Sequence, residues 1–184
     1  MISLILQTDA LRLSFHRRQD RYAQRLAVAF GESFIDLWES VDSPRLLCNE
    51  QPEDWPPSPP WQDVHIETRS DGVEIALAVG QAGSSHWSLS VEPVPGGQGL
   101  LFDVACRVKS LPRWLGNSYR RISTLGAHAD LYALLDFAFA PSYEELTRTE
   151  TNRYEWRISP AVLTGPFPRT IRWQYQVVSR DSAR

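Results

Sequence analysis

The stretch S-S-H-W-S-L-S-V-E, residues 84–92, sets His86, Ser88, Ser90 and Glu92 on alternate positions, with Trp87, Leu89 and Val91 between them. A histidine, hydroxyls and a carboxylate are the groups from which nucleophilic and acid–base sites are assembled. On one strand face, neighbours in such a row stand about 7 Å apart, whereas a serine and its base must approach to about 2.6–3.2 Å. A catalytic pair is therefore expected only across strands, where Glu74, Asp103 and Arg107 are the available partners. Without that convergence the row is the wet side of a half-buried sheet, which is the stronger reading for an antiparallel fold.

Similar polar rows recur as His65, Glu67, Arg69; Asp103, Arg107, Lys109; Arg153, Glu155, Arg157; and Arg172, Gln174, Gln176. Turned inward in a barrel, they would line a charged cavity for an anionic or polar ligand, with Glu67 or Glu92 as general base and arginines as clamps. Turned outward, they leave the core to tryptophans and aliphatics. The outward arrangement is expected, because each buried charge is costly unless paired.

His65, Glu67, His86 and His128 are residue types that ligate zinc or iron, but no H-E-x-x-H, H-x-H or C-x-x-C organises them. Neither a metal site nor a cofactor is expected. Nucleotide and hydrolase signatures such as G-x-x-x-x-G-K-[ST], G-x-G-x-x-G and G-x-S-x-G are also missing.

The segment K-S-L-P-R-W-L-G-N-S-Y-R-R, residues 109–121, combines Arg113, Arg120 and Arg121 with Trp114 and Tyr119. Arginines beside aromatics can grip an anion and stack on a ring. With His86, the residues Arg113, Trp114, Tyr119 and Arg120 are the candidate ligand contacts. His65, Glu67, Glu92 and Arg107 are the alternatives drawn from the polar rows. A second basic run, Arg17, Arg18, Arg21 and Arg25, reads as a solvated strand or helix face.

These residues need strands to position them, and period-two alternation is the main signal along the chain. Val73, Ile75, Leu77 and Val79 alternate with Glu74, Ala76 and Ala78, which reads as an apolar face of the larger four. A Gly-containing turn leads to the Trp87 strand, and Leu100 to Lys109 completes a meander. Leu26 to Val41 reads as another hairpin around Gly31, and Asp71-Gly72 as a tight turn. Two strands are expected near the C-terminus, through Trp156 and through Trp173. The stretch from Ala129 to Thr149 fits a helix or a strand, with a short helix expected over residues 143–149. The Pro-rich loop at 52–61 reads as a strap anchored by Trp55 and Trp61.

A chain of 184 residues with 42% hydrophobic and 22% charged residues suits one folded domain, residues 1–184, rather than a disordered chain. Eight to ten strands and one or two short helices imply a mainly β fold: an antiparallel barrel of lipocalin-like architecture, or a two-sheet sandwich. A net charge of −3 argues against a duplex nucleic acid partner. Every cationic residue except Lys109 is arginine, which suits either a GC-rich coding bias or carboxylate and phosphate recognition. The N-terminus lacks a basic leader and no apolar run reaches membrane length, so a cytoplasmic location without membrane contact is expected. Cys48 and Cys106 are too far apart in sequence to suggest a disulfide framework.

The expected function is binding of a small anionic or polar ligand. The alternatives are a hydrolase for a phosphorylated or anionic substrate within a charged barrel, and a non-enzymatic scaffold that forms homo-oligomers.

Overall fold

The computed structural model describes residues 4–41, 55–122, 131–139, 146–152, 155–160 and 164–180. His128, Cys48, residues 52–54 of the Pro-rich loop and residues 143–145 of the expected helix lie outside them. The fold is mainly β, a strongly curled antiparallel half-barrel. Among the described residues, thirteen strands form one sheet that branches at its third strand. Among the described residues there is no α-helix, only a 3₁₀ turn at 131–134.

The sheet divides naturally into two walls. The first contains β1 (Leu4–Gln7), β2 (Leu11–Arg18), β3 (Arg21–Phe30), β4 (Ser33–Ser40), β9 (Asn117–Arg121), β12 (Glu155–Pro160) and β11 (Leu146–Asn152), hydrogen-bonded in that order. The second contains β5 (Trp61–Thr68), β6 (Glu74–Ala82), β7 (Ser85–Pro93), β8 (Gly99–Val108), β13 (Arg169–Ser179) and β10 (Leu135–Phe139), also in order. A single pair, Tyr22 opposite Trp61, connects β3 to β5. Residues 146–149, expected as the end of a helix, instead open β11.

The curl sets the walls face to face, and large side chains fill the space between them. Trp38 of β4 meets Phe137 of β10 edge-on, with ring centroids 5.7 Å apart. Phe137 lies 5.2 Å from Tyr119 of β9, and Phe102 of β8 stacks on Tyr175 of β13 at 4.8 Å. Within the second wall, Val64, Ala78, Leu89, Val104 and Trp173 form one cross-strand row, one residue per strand. Such opposed side chains are the basic unit of sheet packing.

The faces of β6 are opposite to the sequence expectation. Ala76 and Ala78 point into the core at 0% and 3% exposure, while Val79 stands 53% exposed. Crowding by neighbouring strands explains the inversion. Gly80 lies between Trp61 and Trp87 in register, and a Cβ there would sit 1.9 Å from the Pro60 carbonyl oxygen. Ala76 and Ala78 share that inward series, between Ile66 and Val91 and between Val64 and Leu89 on the neighbouring strands.

Residues 55–61 run from Trp55 to the start of β5 as buried chain. Ser58 caps β9 beside the end of β4: its hydroxyl accepts from the Ser118 N–H at 3.2 Å and donates at 2.8 Å to the Ser118 carbonyl, which also accepts from the Val41 N–H at 2.9 Å. Trp114 adds a second anchor, its indole donating to the Pro57 carbonyl at 3.1 Å.

Candidate functional site

The polar row that contains His86 faces outward. His86 and Ser88 are exposed on β7, while Trp87 and Leu89 are buried. His86 pairs in register with Arg107, and Ser90 with Asp103. Glu74 has the alternation parity of Ala76 and Ala78, so it does not share that face. His65 and Glu67 are exposed as well, with His65 Nε2 3.1 Å from Asp63. Glu92 accepts from Arg69 at 2.9 Å, at the end of a turn formed by Asp71 and Gly72, where Gly72 has φ 83°.

The expected ligand contacts are distributed rather than gathered. Tyr119 is fully buried between the walls, whereas Arg120, the next residue, points to the other face of β9. Arg113 is exposed, and Trp114 is half-buried against the strap and the Arg157 guanidinium. Four strands separate β7, which carries His86, from β9 in the sheet order. Of the five, Arg120 joins a larger assembly of charges.

That assembly covers the outer face of the first wall. Ser14, Arg25, Glu39, Arg120 and Glu155 are aligned in register across β2, β3, β4, β9 and β12. Glu39 is the hub. Its Oε1 accepts from Arg25 Nε at 3.1 Å and also from Arg18, while its Oε2 accepts from Arg120 at 3.2 Å. In an adjacent row Arg12 reaches across Ala27 to Asp36, 3.2 Å away, and Arg25 lies 3.6 Å from the same carboxylate.

A β-bulge creates this arrangement. Residues three apart in a regular strand lie on opposite faces. Between the pairs Leu26–Trp38 and Ala27–Asp36, however, Leu37 is an extra residue, and it brings Asp36 and Glu39 to one side. Nothing in simple alternation signals that shift. The run Arg17, Arg18, Arg21 and Arg25, expected to be a solvated face, contributes two residues to the Glu39 hub.

The Glu39 side chain is only 9% exposed, against 40%, 35% and 41% for Arg18, Arg25 and Arg120. Burial by itself would raise its carboxyl pKa, but the charge of Arg18 and the hydrogen bonds from Arg120 and Arg25 outweigh it, and the net shift is downward. Glu39 is a fixed anion at neutral pH. Burial, followed by the Arg25 charge, lowers the pKa of His16 on the same face, although Asp36 and Glu39 pull the other way.

His16 Nε2 lies 2.8 Å from Ser14 Oγ. This corrects the spacing argument applied to strand rows, since the imidazole can lean along the strand to close a gap of two residues. The distance suits a nucleophile and its base, but Ser14 is 4% exposed, which leaves little room for a substrate to reach it. The group's evident capacity is to hold guanidinium groups in place. No family model, curated protein or solved structure matches this chain.

Proposed function

We propose that the protein is a non-catalytic binding protein for a small anionic ligand, docked on the outer face of β2, β3, β4 and β9 against Arg25 and Arg120. The observation that carries this reading is the convergence of Arg18, Arg25 and Arg120 on the nearly buried Glu39. Each bonds Glu39 while 35–41% of its side chain stays exposed, and Arg25 also lies near Asp36. A planar fork constrained in advance loses less conformational freedom on binding, and its geometry fits carboxylate or phosphate oxygens in pairs.

This reading takes precedence over a hydrolase within a charged barrel because Glu67, Glu92 and Arg107 are on the outer face of the second wall. It is tested by isothermal titration at low ionic strength with phosphate, pyrophosphate, nucleotides and dicarboxylates. Binding of one class is expected, weakened about tenfold or more by Arg120→Ala or Arg25→Ala, consistent with about 1.4 kcal/mol per tenfold change. Arg172→Ala in the second wall should leave it unchanged. No measurable heat with any of these anions would remove the proposal.

A further inference from the structure

We infer that β11 is a dimerisation edge, where two copies of the chain pair antiparallel about a two-fold axis at Thr149, setting Arg148 of each copy opposite Glu150 of the other. The strand path of the sheet ends at β11, and among the described residues β11 hydrogen-bonds to β12 alone. Such an edge presents backbone N–H and C=O groups to any strand that can match it. Their direction follows from the ladder, because these groups alternate sides along a strand. The Ser118 carbonyl accepts from the Val41 N–H, and the Ile122 N–H donates to the Leu37 carbonyl, so the even-numbered residues of β9 face β4. Asn117 and Tyr119 therefore face Ile158 and Trp156 of β12. Arg157 and Ser159 then turn to β11, where Thr149 and Thr147 are their partners. The backbone groups of Arg148 and Glu150 are left on the open edge, ahead of the bulge that follows Glu150.

The sequence at these positions, R-T-E, is its own complement when read antiparallel. With Thr149 facing its counterpart, each Arg148–Glu150 pair exchanges two backbone hydrogen bonds, roughly four in all, and opposite charges meet across the seam on both sides of the axis. β12 places no competing charge at these positions, since Arg148 is in register with Ile158 and Glu150 with Trp156. The other strands that end the sheet lack this self-complementarity. β1 is L-I-L-Q, without a charge, and β10 paired with itself about Phe137 would set Asp136 against Ala138. A two-fold contact of this kind closes on itself, so its product is a dimer rather than a fibre.

This inference does not depend on ligand binding at the arginine assembly, and its test reads association alone. In sedimentation, the purified chain, 21.0 kDa as a monomer, should double its mass reversibly between about 10 µM and 1 mM, the range of a weak contact. Arg148→Glu should weaken the dimer about tenfold or more by setting like charges opposite each other, and adding Glu150→Arg should restore it. Residues that face each other without exchanging hydrogen bonds stand close enough for a disulfide. Thr149→Cys in a Cys48→Ser background should therefore link into dimers with oxidised glutathione, while Thr147→Cys in the same background should not; the remaining Cys106 is buried. A monomer throughout the concentration range, no recovery in the double variant, or equal cross-linking of the two cysteine variants would each overturn the inference.

Discussion

The outer faces of the two walls share a pattern of alternating polar residues but have different physical roles. On the second wall, His65 Nε2 lies 3.1 Å from Asp63, with side chains 64% and 63% exposed. On the first, Glu39 lies beneath three guanidiniums at 9% exposure. Exposed pairs contribute little because solvent screens them and ordering two long side chains costs entropy. A nearly buried carboxylate is different, since removing its partners leaves desolvated charge. The comparison teaches that polar alternation identifies a strand face without specifying whether that face is wet.

The largest expected effect of breaking this contrast is at its hub. Glu39→Ala should destabilise the protein by about 2–3 kcal/mol in urea denaturation, a value reduced from the fully buried case because the arginines are partly solvated. A loss below about 0.5 kcal/mol would make the hub equivalent to the exposed pairs. The inverted faces of β6 give a second test. Ala78→Leu should cost about 1–3 kcal/mol by overpacking, whereas Val79→Ser should change stability by less than about 0.5 kcal/mol. Reversal of that order would restore the face assignment expected from alternation.

Asp103 is the intermediate case, since it accepts from Arg172 Nε at 2.6 Å and Gln174 at 2.7 Å, while Arg172 is 55% exposed. Asp103→Ala should therefore cost less than about 1 kcal/mol.

The smallest effect is the pH response of His16. Its folded pKa is lowered, chiefly by burial and then by Arg25, so the unfolded chain binds its proton more readily. The stabilising contribution is present above the unfolded value, about 6.5, and declines as pH falls through the window below it. His16→Asn should flatten the melting-temperature profile just below about pH 6.5. An unchanged slope would assign the acid response to other groups.

Much of the strand framework was legible in the sequence. The β3–β4 hairpin and the β6–β7–β8 meander follow from alternation broken by Gly-containing turns, and Trp156 and Trp173 lie in strands as expected. Local preference was insufficient at residues 146–149, expected as the end of a short helix, since long-range pairing with β12 places them in β11. The face of β6 was misread because alternation ranks residues by size and polarity, whereas its inward positions lie between larger side chains on neighbouring strands, Val64 and Leu89 at Ala78 and Ile66 and Val91 at Ala76. The arginine hub was least legible. It needs Leu37 out of register and β4 beside β9, whose contributing residues Glu39 and Arg120 are far apart in the chain.

The single Tyr22–Trp61 pair between the walls also bears on how the chain assembles. Strands β5 to β8 are successive neighbours, so each hairpin closes a short loop. Strand β13 must return from about sixty residues beyond β8 to pair with it. Contacts between distant segments carry the larger closure cost and tend to slow folding. The four-strand meander is therefore the natural first unit, and amide protons in β6 and β7 should exchange more slowly with solvent than those at the Tyr22–Trp61 junction. Side chains clasping across the interior would then couple two halves that their shared backbone joins only lightly.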